Sequence, residues 1–272
     1  MVLFAFSSTP SEGYVVSCGT GSAWSSIPEG LVTKIKEAAS GNDNVLSVSI
    51  GKNDWFINTT TSVGCHNSGA VMTFLTSPEA QAQNIKLADI ESFIFMPHNP
   101  TGYFCETDKS QYWDGLPKSL SDNIRFSTSK FGIRCITVGA EEQWVIVRND
   151  GSMAFSGITE NLANKLKESR AANKNVKFIT LSFDNPDLYF IEFEDCSTMT
   201  RLPPSWQERV QEYTKKSLDM VTRAGQVRGS TKTVAAVQRI ADQNNRNLLN
   251  NLATLESTNQ MAWSALHLAL LP

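Results

Sequence analysis

The sequence predicts a mainly β fold with inserted helices, built from five copies of one unit of strand, strand, short helix, strand. The prediction starts from one recurring phrase, in which an alternating apolar run ends in a short polar turn. A single aromatic residue then opens a second apolar run, at 44–58, 132–147 and 175–193. A unit repeated in this way buries its apolar faces against its neighbours, so the repeat determines the fold class.

The aromatic residue that follows each polar turn marks the period of the repeat. Successive aromatic anchors lie between 41 and 48 residues apart, a regularity that rarely arises by accident. The second copy is the least regular, because it carries an insertion at 61–69. The anchors are Tyr14, Trp55, Tyr103, Trp144 and Tyr189.

The remaining elements of each unit follow the anchor in a constant order. A second large residue comes about ten positions later, and a phrase with Ser, Thr or Asp, accompanied by Pro in three of the four copies, then predicts a helix start. The helical pattern is clearest at 160–169, where Leu162 and Leu166 share one face. The second large residues are Trp24, Trp113, Phe155 and Met199.

A strand that leads into the next anchor completes each unit. Five anchors enclose only four such strands, and the missing one is supplied by the alternating run at 2–8. We expect this N-terminal strand to pair beside the last unit and close the ring, because an open array leaves exposed sheet edges. The prediction for residues 1–204 is a closed five-bladed β-propeller. The alternative is a run of unrelated hairpins and helices in an α+β domain. The four strands are 45–50, 90–96, 133–138 and 176–183.

Residues 205–272 predict a C-terminal helical tail. Ser205 followed by Glu208 matches a capping box, and Gly225 and Gly229 predict a break. The second helix, 230–272, carries apolar residues every seven positions. Such a stripe packs on its own domain in most proteins, and self-association into a homo-oligomer is the more specific alternative.

Composition and charge argue against several classes of function. The formal net charge is −3 and no Lys/Arg cluster occurs, so no nucleic-acid partner is expected. No apolar run reaches the roughly 18 residues of a membrane span. The five cysteines form no C-x-x-C pair, so neither a zinc site nor a disulfide framework is predicted, and a reducing, cytoplasmic location is expected.

Three phrases carry a resemblance to a known group of proteins. They are W-S-S-I-P at 24–28, V-S-I-G-K-N-D-W-F at 48–56 and D-G-S at 150–152. The chain resembles uncharacterised fungal propeller-like repeat proteins over roughly residues 1–204, and its blade plan is similar to that of the tachylectins, which are five-bladed lectins. The resemblance implies the propeller architecture and, as an expectation, lectin-like sugar binding. No ligand-binding motif of the tachylectins is matched residue by residue.

The strands before the anchors supply the candidate binding site. In a propeller they crowd round the axis, so small polar side chains would line a narrow channel of the kind that binds small ligands. Recurring tryptophans at the rim would stack on a sugar or a planar metabolite. Close packing at the axis and between blades is the plainer explanation for both sets. The predicted ligand-binding residues are Ser49, Met96, Thr137 and Ser182 in the channel, and Trp24 and Trp113 at the rim.

Catalytic patterns are sparse, and we predict neither a metal nor a cofactor. His66, His98 and His267 lack the spacing of metal ligands. Glu192 and Glu194 alternate along one strand, which suits an acid and base pair, although carboxylates on the wet face of a sheet are far commoner.

These observations lead to one function hypothesis and two alternatives. The first is a cofactor-free module that binds a carbohydrate or another small organic molecule. The second is a cofactor-independent cyclase or pericyclase of fungal secondary metabolism, because such chemistry needs shape, desolvation and a few hydrogen-bond donors. The third is a protein-interaction scaffold that uses the helical tail.

Overall fold

Five three-stranded antiparallel sheets follow one another along the chain. The computed structural model describes residues 2–7, 13–19, 21–52, 54–66 and 69–228, with side chains described up to residue 220. In each sheet the middle strand pairs with the first and the third. The strands are β1 Val2–Ser7, β2 Gly13–Cys18 and β3 Gly21–Ser25 (sheet one); β4 Val45–Ile50, β5 Trp55–Thr59 and β6 Val63–Cys65 (sheet two); β7 Ile90–Phe95, β8 Tyr103–Thr107 and β9 Gln111–Asp114 (sheet three); β10 Ile133–Val138, β11 Trp144–Arg148 and β12 Met153–Ser156 (sheet four); β13 Val176–Leu181, β14 Tyr189–Phe193 and β15 Thr198–Arg201 (sheet five).

The aromatic anchors have the same structural role in every sheet, which confirms the five repeated units. Each anchor is buried near the start of a middle strand and pairs with an apolar residue near the end of the first strand. The phrase recurs because each copy encodes a hairpin between a first and a middle strand. The pairs are Phe6 with Tyr14, Ile50 with Trp55, Phe95 with Tyr103, Val138 with Trp144, and Leu181 with Tyr189.

The N-terminal strand belongs to the first sheet, whereas the sequence led us to place it in the last. β1 pairs with β2 along its whole length, from Val2 opposite Cys18 to Ser7 opposite Gly13. Only residues 8–12 separate the two strands in sequence, so closing this hairpin costs far less chain entropy than pairing across the whole domain. The strand nevertheless contacts sheet five, because Phe4 stacks on Phe190 with ring centroids 4.9 Å apart.

The apolar core is divided into five clusters, and each cluster lies between two sheets. Four clusters join sheets that are consecutive in sequence, and each includes helical residues. The fifth joins sheet five to sheet one: Phe190 packs there with Phe4, Tyr14 and Trp206. Each sheet therefore packs on two others.

Helices follow the third strands at the positions of the helix-start phrases, three of which contain proline while the phrase at 156–162 supplies Thr159 as the N-cap. Between sheets two and three, two short helices follow the third strand instead of one. Among the described residues no helix is long and apolar enough to cross a membrane. The helices are α1 Glu29–Ser40, α2 Ala70–Leu75, α3 Pro78–Ala82, α4 Lys118–Lys130, α5 Glu160–Ala171 and α6 Pro204–Arg228.

The helix α6 differs from the predicted tail in two respects. It continues through Gly225, where the sequence predicted a break, and it begins at Pro204, so Ser205 lies inside the helix. Its first part packs with sheets one and five through Trp206, Val210 and Tyr213. One compact unit therefore extends to Leu218 and a second comprises Asp219–Pro272. The predicted helix 230–272, with the homo-oligomer assigned to it, lies outside the described residues.

A buried carboxylate holds the turn between β5 and β6. Asp43 is buried and its side chain accepts hydrogen bonds from the hydroxyls of Thr59, Thr60 and Thr61. Burial by itself would raise the pKa of Asp43, but the three hydroxyls outweigh it and the pKa lies below its usual value.

Replacing Asp43 by Asn is expected to lower the free energy of unfolding at pH 7 by about 1–3 kcal/mol. The folded pKa of Asp43 is depressed, so its contribution is present above the unfolded pKa and is lost as pH falls through the folded pKa. Urea unfolding should therefore show a difference between the two proteins that shrinks in acid. Asp122→Asn, at an exposed position 3.8 Å from Arg125, is the control and should change little.

Candidate functional site at the edge of the first strands

The first strand of every sheet has one edge without a strand partner. β1, β4, β7, β10 and β13 are all terminal in their sheets. Backbone N–H and C=O groups on such an edge need other partners. First strands lie beside one another, β1 beside β4 and β13, β4 beside β7, and β10 beside β13. We call the unpaired sides of these five strands the first-strand edge.

Side chains of one sheet hydrogen-bond the first-strand edge of the next. Asn58 on β5 donates from its Nδ2 to the carbonyl oxygens of Ile90 (3.4 Å) and Glu91 (3.0 Å) on β7. This amide links sheet two to sheet three. Polar side chains at the sheet junctions therefore satisfy part of the exposed backbone.

The junction of sheets four and five uses a hydroxyl and a thiol in the same way. Thr137 accepts a hydrogen bond at its Oγ1 from the Leu181 N–H at 3.2 Å. The Cys135 thiol points to the carbonyl oxygen of Ile179 at 3.6 Å. Two side chains of β10 thus bind the backbone of β13.

Glu192 makes the corresponding contact between sheets five and one. Its Oε1 accepts a hydrogen bond from the Val2 N–H at 3.3 Å. Glu192 pairs with Phe178 on the first strand of its sheet, in the register position where Asn58 pairs with Ser47. The contact between the last and the first sheet is therefore made from the same position as the contact between sheets two and three.

Four partly exposed hydroxyl groups on the first strands form no hydrogen bond with any residue that the structure describes. They come from three sheets and lie on the strand face that is directed to the next sheet, as Thr137 does. Such hydroxyls can each donate one hydrogen bond and accept two. They belong to Ser47, Ser49, Ser92 and Thr180.

Apolar side chains accompany these hydroxyls. Val48, Ile94 and Phe178 are partly exposed residues of β4, β7 and β13. Each also packs against a cluster between two sheets. A few polar groups among apolar surface are the usual composition of a small-ligand site.

A β-bulge redirects the second residue of four first strands. The bulged residues are Leu46, Glu91, Arg134 and Lys177, each absent from the pairing register. Arg134 pairs with Glu194, and the Lys177 Nζ lies 3.7 Å from a Glu192 oxygen. Bulges re-aim side chains, and here they place the charged groups at one end of the hydroxyl-bearing segments.

The Cys135 thiol is not poised for nucleophilic chemistry. It retains some accessible surface, yet the surrounding protein buries it enough to raise its pKa to about 11. The thiolate is the reactive form, so this thiol is unreactive near neutral pH.

The predicted channel residues do not all occupy equivalent positions in their sheets. Ser49 and Thr137 are equivalent, because each pairs with the residue after its anchor. Ser182 and Met96 lie two residues further along, just beyond the ends of β13 and β7. The residue of sheet five equivalent to Ser49 is Thr180.

The sequence analysis treated these residues as equivalent because it did not allow for turns of unequal length between the first strands and the anchors. The turn from the first strand to the anchor spans 51–54 in sheet two and 139–143 in sheet four. It spans 96–102 in sheet three and 182–188 in sheet five. Because strand side chains alternate with period two, a shift of two residues keeps the face and changes the level.

Three of the predicted channel residues are already engaged. The Thr137 hydroxyl accepts the Leu181 N–H described above. The Ser182 hydroxyl accepts from the N–H groups of Asp184 and Asn185 and so caps its own turn. Met96 is buried in the cluster between sheets three and four. Among the channel predictions, Ser49 alone has a free hydroxyl within the described part of the chain.

The rim tryptophans are partly exposed and pack between sheets. Trp24 lies against the cluster between sheets one and two, and Trp113 against the cluster between sheets three and four. They occupy equivalent positions on the third strands, since each pairs with the residue after an anchor. Core packing is thus a clear role for both.

The sequence analysis did not identify Ser92 as a site residue, and it interpreted Glu192 as a carboxylate on a solvent-exposed sheet face. Ser92 pairs with Glu106 in the position where Ser47 pairs with Asn58, so alignment of the bulges would have found it. Glu192 has no exposed surface, which contradicts a wet sheet face, and Glu194 lies beyond the end of β14.

Among the described residues, one histidine pairs with a carboxylate. His66 lies 3.2 Å from the Asp54 carboxylate and is half exposed. No group of three His, Cys, Asp or Glu residues in the described part of the chain could hold a metal ion.

Comparison with known proteins gives no family. No family model matches, and no curated protein matches. One solved structure, titled "YCF48 bound to D1 peptide", is similar with 10% identity and a TM-score of 0.25. That match covers 74% of this chain and 63% of the other.

Proposed function

We propose that the five sheets are the blades of a closed β-propeller that binds a small uncharged organic ligand, a carbohydrate or a metabolite of similar size, at the first-strand edge. The observation that carries the proposal is the set of unoccupied hydroxyls on β4, β7 and β13. Ring closure is supported by the apolar cluster between sheets five and one and by the Glu192 contact to Val2.

The chemistry of the edge favours an uncharged ligand. The free groups are hydroxyls, whereas the two cations of the bulged positions are paired, Arg134 with Glu194 and Lys177 with Glu192. An anionic ligand that bound to either cation would have to replace one of these pairs. A ligand with hydroxyl or carbonyl groups would instead exchange hydrogen bonds with the free hydroxyls.

Replacing Ser49 by Phe is expected to fill the site and lower ligand affinity at least about tenfold, or ~1.4 kcal/mol. Ser49 is the best probe, because Phe at Thr137 or Ser182 would also break the hydrogen bonds those hydroxyls make. A panel of mono- and disaccharides and uncharged aromatic metabolites, screened by thermal shift, supplies the ligand, and calorimetry measures the affinity.

The matched control is Ser40→Phe, at an exposed serine at the end of α1. Equal affinity of the wild type, Ser49→Phe and the control would contradict the proposal. Loss of affinity in Trp24→Ala or Trp113→Ala alone would move the site to the rim. Conversion of a panel compound would favour the cyclase alternative.

A further inference from the structure

A buried carboxylate lies where the first sheet meets the last. Glu192 on β14 has no exposed surface, and its Oε1 binds the Val2 N–H and faces Lys177 at 3.7 Å. Its Oε2 is buried without a hydrogen-bond partner among the described residues. Burying an ionised oxygen without a partner is costly, and one lysine compensates only part of that cost. We call the contacts between sheets one and five the closing seam.

Neighbouring strands offer Glu192 little further compensation. Lys177 on β13 is the main countercharge, the N-terminal amino group adds a second positive charge, and β1 supplies the Val2 N–H. From β2 comes the Cys18 thiol, whose pKa is raised by burial and also by the Glu192 charge. A neutral thiol adds no positive charge to the seam.

The turn after β14 and the helix α6 complete the surroundings. Cys196 also has a raised pKa, caused mainly by burial and increased by Glu192. On α6 the Ser217 hydroxyl is buried beside the Cys18 thiol and lowers the pKa of that thiol through a hydrogen bond. The charge of Lys216 acts on Cys18, but this lysine pairs with Glu212 at 2.7 Å. Neither the turn nor α6 adds a positive charge or a hydrogen bond for the buried Oε2 among the described residues.

We propose that Glu192 makes the closing seam proton-sensitive, tighter when this carboxyl is protonated and more readily opened when it is ionised. Opening would hydrate the ionised Oε2, whereas the protonated group has no charge to hydrate. The same register position holds the neutral amide of Asn58 in sheet two and the carboxylate of Glu106 in sheet three. Glu106 is partly exposed and accepts a hydrogen bond from Gln111, so the fully buried carboxylate of Glu192 distinguishes the closing seam. The inference does not depend on ligand binding.

The sign of the pH dependence follows from the surroundings. Burial raises the pKa of Glu192, and Lys177, the N-terminal amino group and the Val2 N–H together offset this only in part. The stability contributed by this group is fully present below its unfolded pKa and is lost as pH rises through the folded pKa. Each unit of separation between the two values changes the folding equilibrium about tenfold.

Glu192→Gln tests the proposal, because it keeps the acceptor for Val2 and removes the charge. Its thermal midpoint should exceed that of the wild type at pH 8, with a difference that shrinks as pH falls to about 5. Hydrogen exchange at pH 8 should show greater protection of the β1 amides in the variant and unchanged protection in β10. Lys177→Met removes the countercharge and should lower the midpoint at pH 8.

Glu194→Gln is the matched control, since it neutralises a carboxylate two residues away that is 40% exposed. It should not reproduce the rise at pH 8. Both measurements are repeated with an N-terminal extension, which moves the titrating α-amino group away from Val2. A Glu192→Gln protein that unfolds at a lower temperature than the wild type at pH 8, or that fails to fold, would overturn the proposal. A pH-independent difference would do the same.

Discussion

Replacing Phe4 by Ala is expected to lower the free energy of unfolding by about 3–5 kcal/mol, the range for a buried Phe truncated in a packed core. Phe4 is 1% exposed and lies in the middle of β1. Its ring stacks on Tyr14 in its own sheet at 5.7 Å and on Phe190 of sheet five at 4.9 Å. The change therefore weakens both sheet one and the closing seam.

Urea unfolding followed by circular dichroism measures this loss. Phe126→Ala is the matched control, because Phe126 is 45% exposed and its ring contacts are at the surface. The control should lose about 1 kcal/mol or less. If Phe4→Ala lost no more than the control, the contact between β1 and sheet five would not contribute to stability.

Replacing Gly13 by Ala is expected to cost about 3 kcal/mol or more, at or above the upper end of overpacking effects. An added Cβ at Gly13 would lie 2.2 Å from the carbonyl oxygen of Ser26 and 2.5 Å from that of Ser25. Both are backbone atoms, so no side chain can move aside. The strand pairing between β2 and β3 would have to open.

Gly41→Ala is the control for this effect. At Gly41, at the end of α1, the nearest atoms to an added Cβ lie 3.4 and 3.7 Å away, which is ordinary contact. This variant should change the stability by no more than about 1 kcal/mol. Similar thermal midpoints for the two variants would show that the approach of β3 to Gly13 is looser than described.

Most of the sheet structure could be predicted from local patterns in the sequence. Alternation and the aromatic anchors are short-range signals, and each hairpin between a first and a middle strand follows directly from them. The strand β1 was recognised by the same alternation, yet it was placed in the wrong sheet. The sequence interpretation paired this strand with the last unit in order to close the ring. Its actual partner, β2, is much nearer in sequence, since only residues 8–12 separate Ser7 from Gly13.

The candidate site was harder to predict because it depends on register and on contacts between sheets. Counting along turns of unequal length made Ser182 equivalent to Ser49, whereas the paired residue is Thr180. No local signal shows that the Thr137 hydroxyl is bound by the Leu181 N–H of another sheet. The burial of Glu192 likewise depends on Val2, which is 190 positions away in the sequence.

The position of a bound ligand in a crystal structure tests the central claim most directly. A ligand found by thermal shift and soaked into crystals is expected at the first-strand edge, within hydrogen-bonding distance of hydroxyls from at least two sheets. Ser49, Ser92 and Thr180 are the expected partners, and Ser49→Phe crystals should lack the ligand. A ligand seated on Trp24 or Trp113, with the first-strand hydroxyls untouched, would contradict the account.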